Sequence, residues 1–175
     1  TFEFLTQHAL QHEPNLIVWP ETAIRETVLS KPRLSNRLFA PIPEQTSLIA
    51  GLHLRKSDRL YNAAVVIENA TPLGHVSKRK LVMGTEAHFT PGLTHTPLRT
   101  QHGLIGVMIC LEAVYGRVAY ELVHRGAEIL VVMSNDAGFG YSPITHHMTR
   151  RAVVRAVETG RWLIRVGQAL SLIHI

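Results

Sequence analysis

The chain has 175 residues, 46% of them hydrophobic and 18% charged, with a formal net charge of +5 and a mean hydropathy of +0.09. This composition excludes an intrinsically disordered chain, which would be poorer in apolar residues, and a low-complexity chain, since the glycines and prolines show no period. The single cysteine, Cys110, excludes an internal disulfide framework and a multi-cysteine zinc site. No apolar run approaches the ~20 residues of a membrane helix. The sequence predicts one globular domain.

The positive charge favours acidic partners such as nucleic acid or anionic lipid. The basic residues are scattered, however, and the densest clusters, at 78–80 and 150–151, are short and lack interleaved aromatic residues. A solvated basic surface is the simpler interpretation, and we expect no nucleic-acid partner. A nucleic-acid-binding module stays open as an alternative, and it would need Lys78 and Arg79 on an exposed face.

Strands and helices alternate along the chain. Apolar spacing of three and four residues predicts helices near 2–10, 114–125 and 144–159. Short apolar runs predict strands at Leu16–Trp19, Leu48–Leu54, Tyr61–Ile67, His75–Lys78, Leu104–Ile109, Ile129–Met133 and Trp162–Val166. Thr71–Gly74 is expected to form a turn. Because several strands also adjoin directly, the pattern predicts a mixed sheet in an α/β layered domain.

Two aperiodic segments predict loops. Residues 81–97 contain two glycines and two prolines and have no clear period, and residues 134–141 are polar and rich in glycine. A loop as long as the first is usually functional or mobile in a compact domain. Both loops therefore belong to the search for a site.

Three residues with reactive side chains follow predicted strands: Glu21, Lys78 and Cys110. Open α/β sheets place their reactive groups at the carboxyl ends of strands, so these three could meet. A carboxylate can activate a thiol, a lysine can stabilise an oxyanion, and a helix N-terminus after Cys110 would favour the thiolate. From these residues alone, a buried structural cysteine and surface Glu and Lys remain the simpler interpretation.

Four motifs that follow one another along the chain favour the catalytic interpretation over the structural one. They are Leu16–Ala23, Ser77–Val82 with Glu86, Gly106–Glu112, and Ser134–Gly140. Together they resemble the carbon–nitrogen hydrolase (nitrilase) superfamily. The sequences Trp-Pro-Glu-Thr and Ser-Asn-Asp within these motifs, together with Arg155–Arg161, resemble those of the apolipoprotein N-acyltransferase branch. The resemblance covers nearly all of residues 1–168.

The resemblance implies a nitrilase-like α-β-β-α sandwich with a mixed sheet over residues 1–169. It implies that Glu21 is the general base, Lys78 the oxyanion-stabilising lysine and Cys110 the nucleophile. Glu86 and Glu112 match two supporting carboxylates of the family site. Neither a metal nor a cofactor is implied, and the neighbouring pair His146 and His147 lacks a third ligand.

The implied reaction moves an acyl chain from a phospholipid, through a thioester on Cys110, to the N-terminal amine of a diacylglyceryl-cysteine lipoprotein. The implied location is the bacterial inner membrane, with this domain in the periplasm and membrane helices outside the present chain. A soluble nitrilase-type amidase is the alternative. Cys110→Ser should abolish acyl-enzyme formation in either enzyme and leave any nucleic-acid binding untouched.

Some positions depart from the branch. Leu111 stands where Tyr is common, Gly138 lacks the usual bulky aromatic side chain before Phe139, and residues 81–86 lose a proline. Acyl selectivity is therefore expected to differ. The chain is expected to be truncated at both ends, with 170–175 a sequencing or cloning scar, and to be inactive and poorly soluble alone.

Overall fold

The structure is a computed structural model that describes residues 2–25, 27–137 and 142–168, together with the backbone of 171–174. Gly138, which we expect to affect acyl selectivity, lies outside the described residues, as do Phe139 and residues 170 and 175 of the expected scar. Residues 171–174 form a strand, and their expected non-native origin stays a prediction.

Within the described residues, the strands form two mixed sheets. The first sheet contains, in spatial order, β1 (Leu16–Val18), β2 (Ser47–Lys56), β3 (Arg59–Glu68) and β4 (Thr71–Ser77). The second contains β5 (Leu98–Thr100), β6 (Gly103–Ile109), β7 (Ile129–Ser134), β8 (Trp162–Gly167) and β9 (Ser171–His174). The β1–β2 pair is parallel and its neighbours antiparallel, whereas β6, β7 and β8 are parallel to one another, with antiparallel strands at both edges.

Helices pack on the outer face of each sheet. The helices are α1 (Phe2–Leu10) and α2 (Pro32–Phe39) on the first sheet, and α3 (Gly116–His124) and α4 (Pro143–Thr159) on the second. Short 3₁₀ helices cover Val28–Ser30 and Cys110–Val114. A third apolar layer, including Ile49, Val66, Val107 and Met133, lies between the two sheets. This arrangement confirms the α-β-β-α sandwich, with two mixed sheets where the residue pattern alone predicted one.

Local chemistry explains where α4 begins and ends. The Ser142 hydroxyl accepts a hydrogen bond from the Ile144 amide at 3.1 Å, and Pro143 occupies the first turn, where a missing N–H costs nothing. At the other end Gly160 adopts a left-handed φ of 62°, a conformation that favours glycine. The predicted helix over 144–159 is confirmed to within one residue.

The predicted turn at Thr71–Gly74 is wrong. The chain turns two residues earlier, where Asn69 and Ala70 have φ values of 49° and 56°, and β4 is already a strand from Thr71. Pro72 has no backbone N–H to donate. It is tolerated because β4 is an edge strand, with no neighbouring strand of this sheet on its open side.

Strand direction brings the predicted site residues to the same end of the molecule. Because β2 and β3, and then β3 and β4, are antiparallel, β4 runs in the same direction as β1. The carboxyl ends of β1 and β4 therefore share one edge of the first sheet. No helix among the described residues is long and apolar enough to span a membrane.

Candidate active site

Glu21 is held in a buried loop directly after β1. The Trp19 indole donates to the Thr6 hydroxyl at 2.9 Å, and the Trp19 amide donates to the Ile49 carbonyl at 2.8 Å. The loop also lies against Gly51, where a Cβ atom would come within 2.1 Å of the Pro20 carbonyl oxygen. Only a glycine allows this approach, which leaves Glu21 4% exposed.

Lys78 follows β4 and is 1% exposed. Its amide donates to the Asn62 carbonyl at 2.8 Å, and its carbonyl accepts from the Gly92 amide at 2.9 Å. The ammonium Nζ then reaches two carboxylates, Glu21 Oε1 at 2.7 Å and Glu86 Oε1 at 2.9 Å. Burial opposes the charge of Lys78, but Glu21 and Cys110 favour it, and the net effect raises the pKa of the lysine.

Cys110 follows β6 with a φ of 52°, a strained backbone conformation for a residue with a side chain. Its thiol lies close enough to Glu21, Lys78 and Glu86 to interact electrostatically with all three side chains. Burial, and then the negative charge of Glu21, raise the pKa of the thiol to about 12, although Lys78 acts in the opposite direction. A short 3₁₀ helix begins at Cys110, and its expected preference for the thiolate stays a prediction, because the raised pKa has other causes, burial first and then Glu21.

Neutral donors complete the hydrogen bonding of the two carboxylates. The Asn62 amide group donates to Glu21 Oε1 at 2.8 Å and to Glu86 Oε1 at 3.0 Å. Glu21 Oε2 accepts from the Asn135 backbone at 2.8 Å, and Glu86 Oε2 from the Val82 backbone at 2.7 Å. Donors from three separate segments of the chain thus fix the carboxylates around one lysine.

Glu112 lies behind this cluster and is 1% exposed. Its Oε1 atom accepts from the Arg79 amide at 2.7 Å and from the Lys80 amide at 3.3 Å. Its Oε2 atom accepts from the Ile109 amide at 2.8 Å. One buried carboxylate therefore ties the residues that follow Lys78 to the residue that precedes Cys110.

The structure brings Glu21, Lys78, Glu86 and Cys110 together and places Glu112 one layer behind them. The nucleic-acid alternative required an exposed Lys78, and the burial of this side chain contradicts it. The catalytic roles of the five residues stay predictions.

Sequence reasoning did not single out Asn62, His95 or Gln168 as site residues. The Gln168 side chain donates to the Glu21 carbonyl at 3.1 Å, and His95 contacts Glu112 at 3.2 Å. Asn62 carried one usable signal, since it is a polar residue in an otherwise apolar predicted strand. The other two lie in loops and carried none.

The arrangement offers a nucleophile, a proton acceptor and a cation within one buried cluster. The thiol lies near Glu21, which can take its proton, and Lys78 presents a fixed positive charge to an oxyanion that forms beside them. In the part of the chain that the structure describes, no group of three or more His, Cys, Asp or Glu side chains could hold a metal ion.

Comparison with known proteins identifies the family. The carbon-nitrogen hydrolase family model matches residues 3–173. The chain belongs to the carbon-nitrogen hydrolase family. This confirms the resemblance inferred from the four motifs.

Curated relatives in this family share sequence over most of the chain. The apolipoprotein N-acyltransferase of Geobacter metallireducens is 28% identical, matching 94% of this chain and 36% of its own length. The enzyme of the same name from Azotobacter vinelandii is 32% identical, matching 86% of this chain and 34% of its own length. The chain therefore spans about a third of the length of these relatives.

Solved structures support the same fold. A carbon-nitrogen hydrolase from Helicobacter pylori G27 aligns with a TM-score of 0.78 at 22% identity, covering 95% of this chain and 66% of that protein. An amidase from Nesterenkonia sp. AN1, with acrylamide added at its active-site cysteine, aligns with a TM-score of 0.75 at 16% identity, covering 95% and 70%. At these identities the likeness is one of fold.

Proposed function

We propose that this chain forms the catalytic domain of an apolipoprotein N-acyltransferase. The observation that carries the proposal is the buried cluster of Glu21, Lys78 and Cys110, in a chain whose curated relatives bear that name. The acyl donor is a phospholipid, and the acceptor is the N-terminal amine of a diacylglyceryl-cysteine lipoprotein. The chemistry uses a covalent intermediate on the protein.

In the first half-reaction the Cys110 sulfur attacks the ester carbonyl while Glu21 takes the thiol proton. Concerted removal of the proton suits a thiol whose pKa is about 12, because little free thiolate exists at neutral pH. Lys78 stabilises the negative oxygen of the tetrahedral intermediate. As the intermediate collapses, Glu21 returns the proton to the leaving glycerol oxygen, so a thioester and a lysophospholipid result.

In the second half-reaction the neutral α-amino group of the acceptor attacks the thioester. Glu21 takes a proton from the nitrogen, the carbon–sulfur bond breaks, and the proton returns to the Cys110 sulfur. The products are an N-acylated lipoprotein and the free thiol. Glu86, which shares Lys78 with Glu21, holds the ammonium in place through both steps.

The proposed setting is the bacterial inner membrane, with this domain on its periplasmic side. About two thirds of the length of each relative lies outside the matched region, which leaves room for membrane-spanning helices outside this chain. Phospholipid and lipoprotein are then both delivered at the membrane surface. The present chain is proposed to supply the chemistry.

Amide hydrolysis is the second candidate, and the fold shared with an amidase supports it. The same three residues would cleave an amide and pass the acyl group to water. The two functions differ in the molecule that attacks the thioester, an amine or water. Both functions form the same thioester on Cys110, so only the identity of the final product distinguishes them.

The test follows the thioester by intact-protein mass spectrometry. The 175-residue chain is incubated with diacyl phospholipid vesicles or a short-chain p-nitrophenyl ester, and then with a synthetic diacylglyceryl-cysteine peptide. We expect one acyl adduct on Cys110 that hydroxylamine removes, and amide formation on the peptide in preference to hydrolysis. The expected inactivity of the isolated chain concerns repeated turnover, which this single-adduct measurement does not need.

Cys110→Ser and Cys110→Ala serve as controls and should show no thioester. Release of free fatty acid with the peptide untouched, together with cleavage of simple amides, would favour the amidase. An adduct at another residue, or none in the folded wild-type chain, would contradict both functions.

A further inference from the structure

We propose that His95 is a positioning residue that holds Glu112, and through it aligns Lys78 with Cys110. The inference rests on the proposed function for its catalytic consequence. Whether His95, in the long loop, keeps Lys78 and Cys110 aligned can be tested without acyl transfer.

Glu112 has the right contacts to set the distance between the lysine and the cysteine. Its two oxygens accept from the Arg79 and Ile109 amides, at 2.7 and 2.8 Å. Arg79 is the residue after Lys78, and Ile109 is the residue before Cys110. A rotation of the Glu112 carboxylate would therefore move both neighbours of the site at once.

His95 contacts this buried carboxylate from the outer side. Its Nε2 atom lies 3.2 Å from Glu112 Oε1, and the ring is only 5% exposed. No other side chain among the described residues makes a recorded hydrogen bond to Glu112. The orientation of the carboxylate is thus set by backbone amides on one side and by one imidazole on the other.

The second ring nitrogen is held as well. Nδ1 lies 3.2 Å from Arg79 Nη1 and 3.3 Å from Glu121 Oε2, a carboxylate on α3. The bond with His95 lowers the pKa of Glu121. Because both nitrogens are engaged, the ring cannot rotate without breaking contacts to the loop, to α3 and to Glu112 together.

The loop that carries His95 is itself fastened beside the lysine. The Gly92 amide donates to the Lys78 carbonyl at 2.9 Å, and His95 follows three residues later. The ring forms part of the wall of a surface cleft of about 360 Å³, whose lining also includes Arg79, Glu121 and His124. Removal of the ring in His95→Ala would extend this cleft toward Glu112, so chemical rescue by imidazole is a suitable test.

The experiment compares His95→Ala, His95→Gln and His124→Ala in the 175-residue chain. The first readout is the rate of Cys110 alkylation by iodoacetamide, which needs the arranged site but no acyl transfer. The second is the single-turnover rate of Cys110 acylation by a p-nitrophenyl ester, measured over a range of ester concentrations to give the maximal rate and the half-saturating concentration. Circular dichroism and urea unfolding establish that each variant is folded.

We expect His95→Ala to slow both alkylation and acylation. The maximal single-turnover rate of acylation should fall by between about 10- and 100-fold with the half-saturating ester concentration little changed, because a misplacement of about 1 Å has that effect. His95→Gln keeps a donor toward Glu112 and should recover most of the rate. Added imidazole should partly rescue His95→Ala and leave the wild type unchanged. His124→Ala, which lines the same cleft without contacting Glu112, should behave as the wild type.

A folded His95→Ala variant with wild-type alkylation would overturn the inference, as would a rate loss that neither His95→Gln nor imidazole restores. If the wild-type chain is not acylated at all but the alkylation pattern holds, the proposed function fails and the positioning role stands. If acylation of the wild type occurs and His95→Ala is equally fast, the positioning role fails and the proposed function stands.

Discussion

At Cys110, a single sulfur atom experiences two opposing charges. Burial raises the pKa of the thiol, the negative charge of Glu21 raises it further, and the positive charge of Lys78 lowers it. The thiol is therefore protonated at neutral pH and needs a base at the moment of attack. A cysteine of this kind is selective, because it reacts when a substrate carbonyl is in place and weakly otherwise.

Replacing Glu21 by Gln should separate these two effects. We expect the pKa of the Cys110 thiol to fall, since the carboxylate that raises it is gone, so alkylation by iodoacetamide at pH 8 becomes faster. Acylation by an ester should nevertheless slow by about 10²- to 10⁴-fold, because the base is lost. The check is the pH dependence of both rates. A thiol pKa in E21Q that is equal to or above that of the wild type, read from the pH profile of alkylation, would show that Glu21 does not repel the thiolate.

Replacing Lys78 by Met should destabilise the fold as well as remove the oxyanion contact. Two carboxylates, Glu21 and Glu86, would then lie side by side without their shared cation. Breaking a buried ion pair in this way costs about 3–5 kcal/mol in the free energy of unfolding. Urea unfolding measures this loss of stability. The matched control is Lys56→Met at an exposed lysine, which should change the free energy of unfolding by less than ~0.5 kcal/mol. Adding Glu21→Gln to the variant should recover part of the loss, and a single-variant loss under ~1 kcal/mol would contradict the account.

At the scale of elements, the site depends on loops that approach strands unusually closely. Gly51 in β2 lies against the loop of Glu21, and Gly92 lies against the end of β4, where a Cβ atom would come within 2.2 Å of the Ser77 carbonyl oxygen. Backbone contacts of this kind cannot be relieved by a change of rotamer. The positions of Glu21 and Lys78 are thus set by glycines that have no chemical role.

Gly92→Ala should therefore move the loop away from Lys78. We expect a loss of about 1–3 kcal/mol in stability, typical of overpacking, together with slower acylation. Gly74→Ala is the matched control, because a Cβ at this position in β4 has no atom within 4 Å and should cost little. Equal behaviour of the two variants, measured by urea unfolding and by ester acylation, would show that the close approach does not matter.

At the scale of the whole molecule, acid should weaken the fold through half-buried histidines of the first sheet. Burial lowers the pKa of His53 and of His75 below the ordinary value of 6.5. The unfolded chain then binds more protons than the folded chain as pH falls through 6.5, so the stability present at pH 7 is progressively lost toward pH 5. The half-buried positions favour the neutral rings over the charged ones.

The double variant His53→Gln, His75→Gln should have a flatter dependence of unfolding free energy on pH between 7 and 5. Neutral amides do not titrate, so the protons that favour the unfolded chain have nowhere to bind at these positions. Urea unfolding at several pH values checks it. An unchanged slope would mean that neither ring accounts for the acid sensitivity.

Most of the strands could be predicted because each is a short apolar run bounded by polar residues, as at Leu48–Leu54 and Tyr61–Ile67. Helix α2 was missed because its eight residues give little periodic signal. The short edge strands β5 and β9 were missed because three or four residues carry almost no pattern. Asn62 and His95 have no motif, since their importance comes from what surrounds them.

The sequence by itself determined the family, because the four motifs and their order can be read from the amino-acid sequence without any knowledge of the fold. It also determined which side chains carry reactive chemistry, because Glu21, Lys78 and Cys110 differ from their apolar surroundings. Only the tertiary structure decided that Lys78 is buried between two carboxylates and that the Cys110 thiol is protonated. Charge and pKa depend on burial and on distances between segments far apart in the chain, and these exist only once both sheets have packed.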